Sequence, residues 1–210
     1  MEEIIEIRKN RSKYCIILDN NHFYYLTDDD YSERHYSPGD ILDEEELNDW
    51  LLKKQYRKAL DKAVSMLAVR ACSKGEIEKK LCLSGYTDET VKMVLYKLEK
   101  ENLIDDRSFS SQWANYRFSQ KYGPKKIAYE LRTKGINNEQ IVNTLKSIDK
   151  DRFVDQAYQL ALKGFSRKKE EDIRKTYNRV ISSLVRRGYD WEIARNACEK
   201  ADLELKKREE

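Results

Sequence analysis

The spacing of apolar residues changes character once along the chain. Residues 4–7 (Ile4, Ile5, Glu6, Ile7) and 14–18 (Tyr14, Cys15, Ile16, Ile17, Leu18) are short runs rich in β-branched and aromatic types. Asp19, Asn20 and Asn21 then read as a turn into a third run, His22 to Leu26, so a small β-hairpin or meander is predicted. After Ser37, Pro38 and Gly39 the spacing becomes helical. Ile41, Leu42, Leu47, Trp50 and Leu51 fall at helical intervals with an acidic first turn, Asp43 to Glu46. From there helices dominate to the end.

The helical part repeats itself. Ile77, Leu81, Gly85, Tyr86, Val91 and Leu95 in one copy match Ile127, Leu131, Gly135, Ile136, Ile141 and Leu145 in the next at every interval. A third copy has Val180, Leu184, Gly188 and Tyr189, followed either by Ile193 and Ala197 one residue early or by Ala194 and Cys198 in register. Apolar residues four apart make a helix stripe, and the glycine supplies the left-handed position that ends it. A second helix then starts at short polar residues, Thr87 and Asp88 or Asn137 and Asn138, which cap free backbone N–H groups. Further helical patterns precede the copies at Leu60 to Val69, Phe109 to Phe118 and Phe153 to Leu162. Three helices per copy in three copies is the simplest count.

Local signals mark the boundaries. Ser73 with Glu76 is a capping box, Asp105 and Asp106 precede the helix of Phe109, Trp113 and Tyr116, and Pro124 after Gly123 suits a first helical position. The expected class is mainly α: three tandem three-helix repeats in an elongated, curved array behind a small β-hairpin region. The expected divisions are an acidic N-terminal region with a short helix (1–55) and repeats at 56–106, 107–152 and 153–210. Seven Gly and two Pro in 210 residues are too few for the turns of a sandwich, a barrel or a Rossmann-type fold.

Charge sharpens this picture. Residues 1–55 hold 7 Lys/Arg against 14 Asp/Glu, and residues 56–210 hold 34 against 24, so a formal net charge of +3 hides a polarised chain. No run approaches the roughly 18 apolar residues of a membrane span, and the start Met1, Glu2, Glu3 lacks the order of a secretory signal. A cytoplasmic protein without membrane contact is expected. Cys15, Cys72, Cys82 and Cys198 are scattered without a Cys-x-x-Cys pair, which suits reduced thiols and no zinc.

Enzyme chemistry finds little support. His22 and His35 lie in the acidic region without a triad or metal spacing, and Gly75, Gly85 and Gly123 are isolated, so no phosphate-binding loop is present. Asp105 and Asp106 are the best pair for a metal-dependent nuclease, but aspartate before a helix more often caps it. No catalytic group, metal or cofactor is expected. The basic residues say more. Arg117, Lys121, Lys125, Lys126, Arg132 and Lys134 stand against Glu130 alone, interleaved with Tyr116, Tyr122 and Tyr129. Lys163, Arg167, Lys168, Lys169, Arg174, Lys175, Arg179, Arg186 and Arg187 form a second run. On one face they would make a basic track with aromatic contacts, able to follow a phosphate backbone; dispersed, they would be solvated helix exteriors. Trp50 and Trp191 read as packing anchors.

The run from Lys121 to Ile136, KYGPKKIAYELRTKGI, resembles the central signature of the RecX family of recombination regulators, K-Y-G-P-x-x-I-x-x-E-L-x-x-K-G-I. Leu103, Ile104, Asp105, Asp106 and Phe109 are similar to its G-L-I-D-D-x-x-F segment, and Ser73, Glu76, Ile77, Leu81, Gly85 and Tyr86 to its S-x-x-E-L…L…G-Y element. Leu184, Arg186, Arg187, Gly188 and Tyr189 resemble its last motif, so the resemblance covers about residues 57–200. Asn102 stands where the family usually has Gly, and Cys72 where it often has Arg. The resemblance implies a helical-repeat protein that binds the RecA recombinase and its filament on DNA and restrains ATP hydrolysis and strand exchange. Direct contact with single- or double-stranded DNA is compatible with it, and a monomer is expected. The contact surface expected from both readings is Arg117, Lys121, Lys125, Lys126, Arg132, Lys134, Arg167, Lys168, Lys169, Arg186 and Arg187. The alternative is a sequence-independent DNA-binding helical protein with no recombinase partner.

Overall fold

A computed structural model describes residues 1–11, 13–166 and 173–209. The chain forms two compact units, Met1–Asp105 and Asp106–Glu210.

In the first unit β1 (Glu2–Asn10), β2 (Lys13–Leu18), β3 (Phe23–Thr27) and β4 (Ile41–Leu42) form an antiparallel sheet in the order β3-β2-β1-β4. The expected meander is therefore a four-stranded sheet, closed on one side by the two-residue β4. A short helix absent from the sequence reading, α1 (Asp28–Glu33), opens on a capping box made by Thr27 and Asp30. Ile4, Ile16, Leu18 and Leu26 of the sheet are buried against Leu47 and Leu51 of α2 (Glu44–Val69).

The helix α2 is a single element of 26 residues, where the sequence reading has two; the expected boundary at 55/56 falls inside it. The reason is that one helix serves two cores. Its first turns cover the sheet, and Ala59 and Ala63 then join Ile77, Leu81, Val91, Val94, Leu95 and Leu98 of α3 (Lys74–Cys82) and α4 (Asp88–Lys100). Between the two cores the buried Gln55 donates to Asp30 Oδ2 at 3.0 Å and accepts from the Thr87 N–H at 3.1 Å. One side chain thereby satisfies groups from α1 and from the start of α4.

The second unit holds α5 (Asp106–Ser119), α6 (Pro124–Thr133), α7 (Asn138–Lys146), α8 (Lys150–Phe165), α9 (Ile173–Arg186) and α10 (Trp191–Glu209) around one continuous core. Ile127, Leu131, Ala157, Ala161, Ala194 and Ala201 in it are fully buried. With Ala194 and Cys198 both at 0% exposure, the third copy is in register with the first two.

The three glycines end equivalent turns. Gly85, Gly135 and Gly188 have φ of +91°, +82° and +92°. In each turn the N–H of the following residue, Tyr86, Ile136 or Tyr189, donates to the carbonyl five residues back, on Leu81, Leu131 or Leu184, at 3.4, 3.1 and 3.2 Å. Asn102, in place of the usual Gly, adopts φ +56°, and the next N–H, on Leu103, reaches Leu98 O at 2.9 Å. Asparagine tolerates the left-handed region better than most residues, so the same turn survives the substitution. All four cysteines are free thiols. Trp50 packs against the sheet core as expected. Trp191 does not anchor a core: it is 55% exposed, with Arg195 over its ring.

Candidate nucleic-acid interface

The basic residues of the second unit divide into those that face inward and those that gather outside. Arg117 is the clearest of the first kind. Its Nη2 lies 2.5 Å from Glu130 Oε1, and its guanidinium stacks 3.9 Å from the centre of the Tyr122 ring. Both charged side chains are less than one-fifth exposed. Burial works against the Arg117 charge, but the hydrogen bond and charge of Glu130 outweigh it and hold the pKa above the ordinary arginine value. Glu130 also accepts from Trp113 Nε1 at 3.2 Å, so the one acid of this run is spent inside the fold. Lys134, half-buried, places its ammonium 4.1 Å from the centre of the Trp113 ring. Arg117 is thus a half-buried strut within the fold, because Glu130 one helix away gives its guanidinium a partner.

Four cations converge where the α9–α10 turn meets the start of α6. Gly123 precedes Pro124 at the first helical position and has no side chain to cap the helix. The turn supplies the missing acceptors: the Gly123 N–H donates to Arg187 O at 2.8 Å and the Lys125 N–H to Gly188 O at 3.0 Å. Arg187 Nη1 reaches back to the carbonyls of Gln120 and Lys121, each at 3.4 Å. The buried Tyr189 donates to Gln156 Oε1 at 2.6 Å, and Gln156 Nε2 donates to Phe118 O at 2.9 Å. Burial pushes the Tyr189 phenol well above its ordinary pKa, keeping it a donor. The backbone lock brings Lys121, Lys125, Lys126 and Arg187 to one place.

From that place α6 turns Ile127 and Leu131 inward and Lys125, Lys126, Tyr129 and Arg132 outward. Tyr129 is 58% exposed, with the Lys126 ammonium 5.5 Å from its ring centre. Arg132 is exposed and donates to Asn138 Oδ1 at 3.3 and 3.2 Å. Lys125 is tied to Asp190 at 2.8 Å, and that contact draws the Asp190 carboxyl below the usual carboxylate pKa.

On the other side of the lock a groove of about 490 Å³ opens between α8 and α9. Lys121, Lys163, Arg179 and Arg187 line it, and among the described residues no carboxylate does. Gly164 lets α9 approach, since a Cβ there would sit 2.8 Å from Val180 Cγ2. Lys163 and Arg179 were not among the expected site residues, although the interval from Arg179 through Ser183 to Arg187 already places those three on one helix face. Arg186 is exposed on the last turn of α9. Arg167, Lys168 and Lys169 lie outside the described residues. Asp105 stands immediately before α5 and Asp106 is its first residue, the positions at which aspartate favours a helix start. Among the described residues no group of three or more His, Cys, Asp and Glu is placed to hold a metal ion, and no helix is long and apolar enough to cross a membrane.

The lock, the outer face of α6 and the groove fall within two matched family segments: RecX, second three-helix domain, over residues 105–145, and RecX, third three-helix domain, over residues 151–198. The regulatory protein RecX of Mycolicibacterium smegmatis is 32% identical over 163 residues, 75% of this chain and 85% of that protein. Regulatory protein RecX of Clostridioides difficile is 27% identical over 94% of this chain and 93% of that protein. A crystal structure of regulatory protein RecX superposes with a TM-score of 0.61 at 25% identity, covering 92% of this chain and 97% of that one. RecX from Lactobacillus salivarius gives 0.65 at 22% identity over 72% and 99%, a likeness of fold. With signature, repeat and relatives in agreement, the chain belongs to the RecX family of regulatory proteins.

Proposed function

We propose that this protein binds the RecA recombinase and its filament on DNA and restrains ATP hydrolysis and strand exchange, acting by occupancy and not by catalysis. The observation that carries the reading is the convergence of Lys121, Lys125, Lys126 and Arg187 at one backbone lock, between a groove lined by four cations and a helix face bearing an exposed tyrosine. Cations held by a rigid backbone can track phosphates without reading sequence, and an exposed tyrosine offers a base a stacking surface. Contacts of this kind are individually weak. They sum when one chain meets several sites on a repeating polymer.

The test is inhibition of the recombinase's DNA-dependent ATP hydrolysis by the wild type and by a Lys125→Ala/Lys126→Ala/Arg132→Ala variant. The wild type is expected to inhibit, and the variant to need about tenfold or more protein for the same effect while keeping its circular dichroism spectrum. No inhibition by the wild type sinks the reading. Unchanged inhibition by the variant removes the α6 face from it. Wild-type binding to DNA but never to recombinase, in pull-downs with and without DNA, would favour the DNA-binding module instead.

A further inference from the structure

A second surface, on the other unit, has a different chemistry. The inner face of α4 buries Val91, Val94, Leu95 and Leu98. Its outer face carries Met93, Tyr96 and Lys100 at three- and four-residue intervals, flanked by Lys92 and Lys97. Met93 is 46% and Tyr96 66% exposed. With the half-buried Tyr56 of α2 these five residues line a slot of about 450 Å³ between the two helices. Among the described residues no carboxylate lines it. Lys97 is paired with Glu101 at 2.7 Å, while among the described residues Lys92 and Lys100 have no carboxylate within ion-pair distance.

The second copy of the repeat does without this face. The repeat aligns Val91 with Ile141 and Leu95 with Leu145, and the second copy keeps those core positions. At the outer positions it has Asn143 for Met93, Lys146 for Tyr96 and Ser147 for Lys97. The scaffold is shared, while the second copy lacks the methionine and tyrosine and, of the three slot lysines, keeps only the one at Lys150, aligned with Lys100. Exposed methionine and tyrosine both suit binding: a thioether adapts to irregular partners and a tyrosine anchors with little entropy loss.

We infer that the α4 slot docks the protein component of the filament, through an acidic element of the recombinase that carries apolar side chains, laid between α2 and α4 as a helix lies in a groove. This rests on the function proposed above and divides its labour, with α4 gripping protein and the α6 face and the groove gripping phosphate. Three lysine heads around an apolar floor are complementary to carboxylates flanking an apolar stripe. The surrounding unit favours protein over nucleic acid. Residues 1–105 hold 17 Lys/Arg against 22 Asp/Glu, and this net acidity disfavours a strand charged at every phosphate far more than an element whose few carboxylates meet the lysines locally.

The experiment measures binding of the full chain to recombinase without DNA, and to a single-stranded oligonucleotide without recombinase, for four proteins. They are the wild type, Met93→Ser/Tyr96→Ser, Lys92→Glu/Lys100→Glu, and Lys125→Ala/Lys126→Ala/Arg132→Ala. The slot substitutions are at exposed positions, and unchanged circular dichroism confirms folding. Both slot variants are expected to lose about tenfold or more in affinity for recombinase, as hot-spot side chains do, with oligonucleotide binding within about twofold of wild type. The α6 variant is expected to show the reverse. Wild-type binding to recombinase that the slot variants leave unchanged overturns the inference and spares the proposed function. Loss of oligonucleotide binding in the slot variants overturns it in favour of a nucleic-acid surface. A wild type that fails to bind recombinase without DNA overturns the inference, and only a wild type that also fails to inhibit the filament overturns the proposed function.

Discussion

Gly123 and Gly188 meet backbone to backbone. A Cβ on Gly123 would lie 2.5 Å from the Gly188 carbonyl carbon and oxygen, and one on Gly188 would come closer still to the Lys126 nitrogen. Gly188 also needs its φ of +92° to end α9, so it answers two demands that other glycines of the chain meet singly. Gly39, at φ +94°, has open space where a Cβ would sit, with nothing within 4 Å, and Gly85, at φ +91°, faces only the Lys13 side chain at 3.4 Å. Gly39→Ala and Gly85→Ala should each cost about 1–2 kcal/mol, the left-handed penalty alone. Gly188→Ala should cost roughly 3 kcal/mol or more, because backbone must move to admit the methyl group. Urea midpoints followed by circular dichroism measure the difference. Equal losses at Gly85 and Gly188 would mean that the contact yields without cost.

Arg117 tests whether a basic residue inside a family signature region serves binding or stability. Alanine there leaves Glu130 half-buried without its ion pair and removes the guanidinium from the Tyr122 ring. A loss of about 3 kcal/mol is expected, with lysine intermediate because it keeps the charge but not the planar fork. Affinity for DNA per folded molecule should stay within about twofold of wild type if no phosphate contacts this residue. A stable Arg117→Ala protein that binds DNA poorly would return Arg117 to the contact surface.

What was legible in the sequence was local. The left-handed turns at Gly85, Gly135 and Gly188, the capping box of Ser73 and Glu76 and the stripe positions from Ile77 to Leu145 each depend on residues within one or two helical turns. Contacts between distant residues were not legible: neither the meeting of Gly123 with Gly188 nor the capture of Arg117 by Glu130 leaves a periodic trace. The unbroken α2 is an intermediate case. No Gly or Pro interrupts residues 44–69, so the chain already permitted one helix, but the apolar positions change partners midway from sheet to helices. A change of partner looks like a change of element when only spacing is read. For the basic track, composition indicated the sign of the surface, while only tertiary structure could divide inward cations from outward ones.

The contact between Tyr24 and Glu44 should make the first unit sensitive to pH at both ends. Tyr24 donates to Glu44 Oε2 at 2.6 Å, and Asn20 Nδ2 lies 2.7 Å and His22 Nδ1 3.0 Å from the same carboxylate. Burial alone would raise the Glu44 pKa, but the hydrogen bonds of Tyr24, His22 and Asn20 prevail and lower it. A carboxylate with a depressed folded pKa contributes stability that is present above its unfolded value, about 4.3, and is lost as pH falls through the folded one. Tyr24 is pushed up to about 12 by burial and by Glu44. Its contribution is therefore present below the unfolded tyrosine value, about 10, and is lost as pH rises through the folded one. Tyr24→Phe should reduce stability at pH 7 by about 1 kcal/mol and flatten the alkaline limb above pH 10. An alkaline limb identical in the two proteins would remove Tyr24 as its cause.

Asp190 restrains a cation that the proposed function needs. Its Oδ2 holds the Lys125 ammonium at 2.8 Å, and its Oδ1 accepts from the Trp191 N–H at 2.9 Å at the start of α10. Asparagine keeps an acceptor for the second contact and removes the charge from the first, so Asp190→Asn separates capping from ion pairing. Release of Lys125 gives the α6 face one more cation for phosphate. Binding to double-stranded DNA should tighten a few-fold at low salt, and the slope of log K against log salt should steepen by about 0.9, the contribution of one phosphate contact. In the Asp190→Asn/Lys125→Ala double variant both changes should vanish, because the released ammonium is gone. Titrations at several salt concentrations decide it: an unchanged slope in Asp190→Asn would place Lys125 outside the phosphate path and leave Lys121, Lys126 and Arg187 to form it.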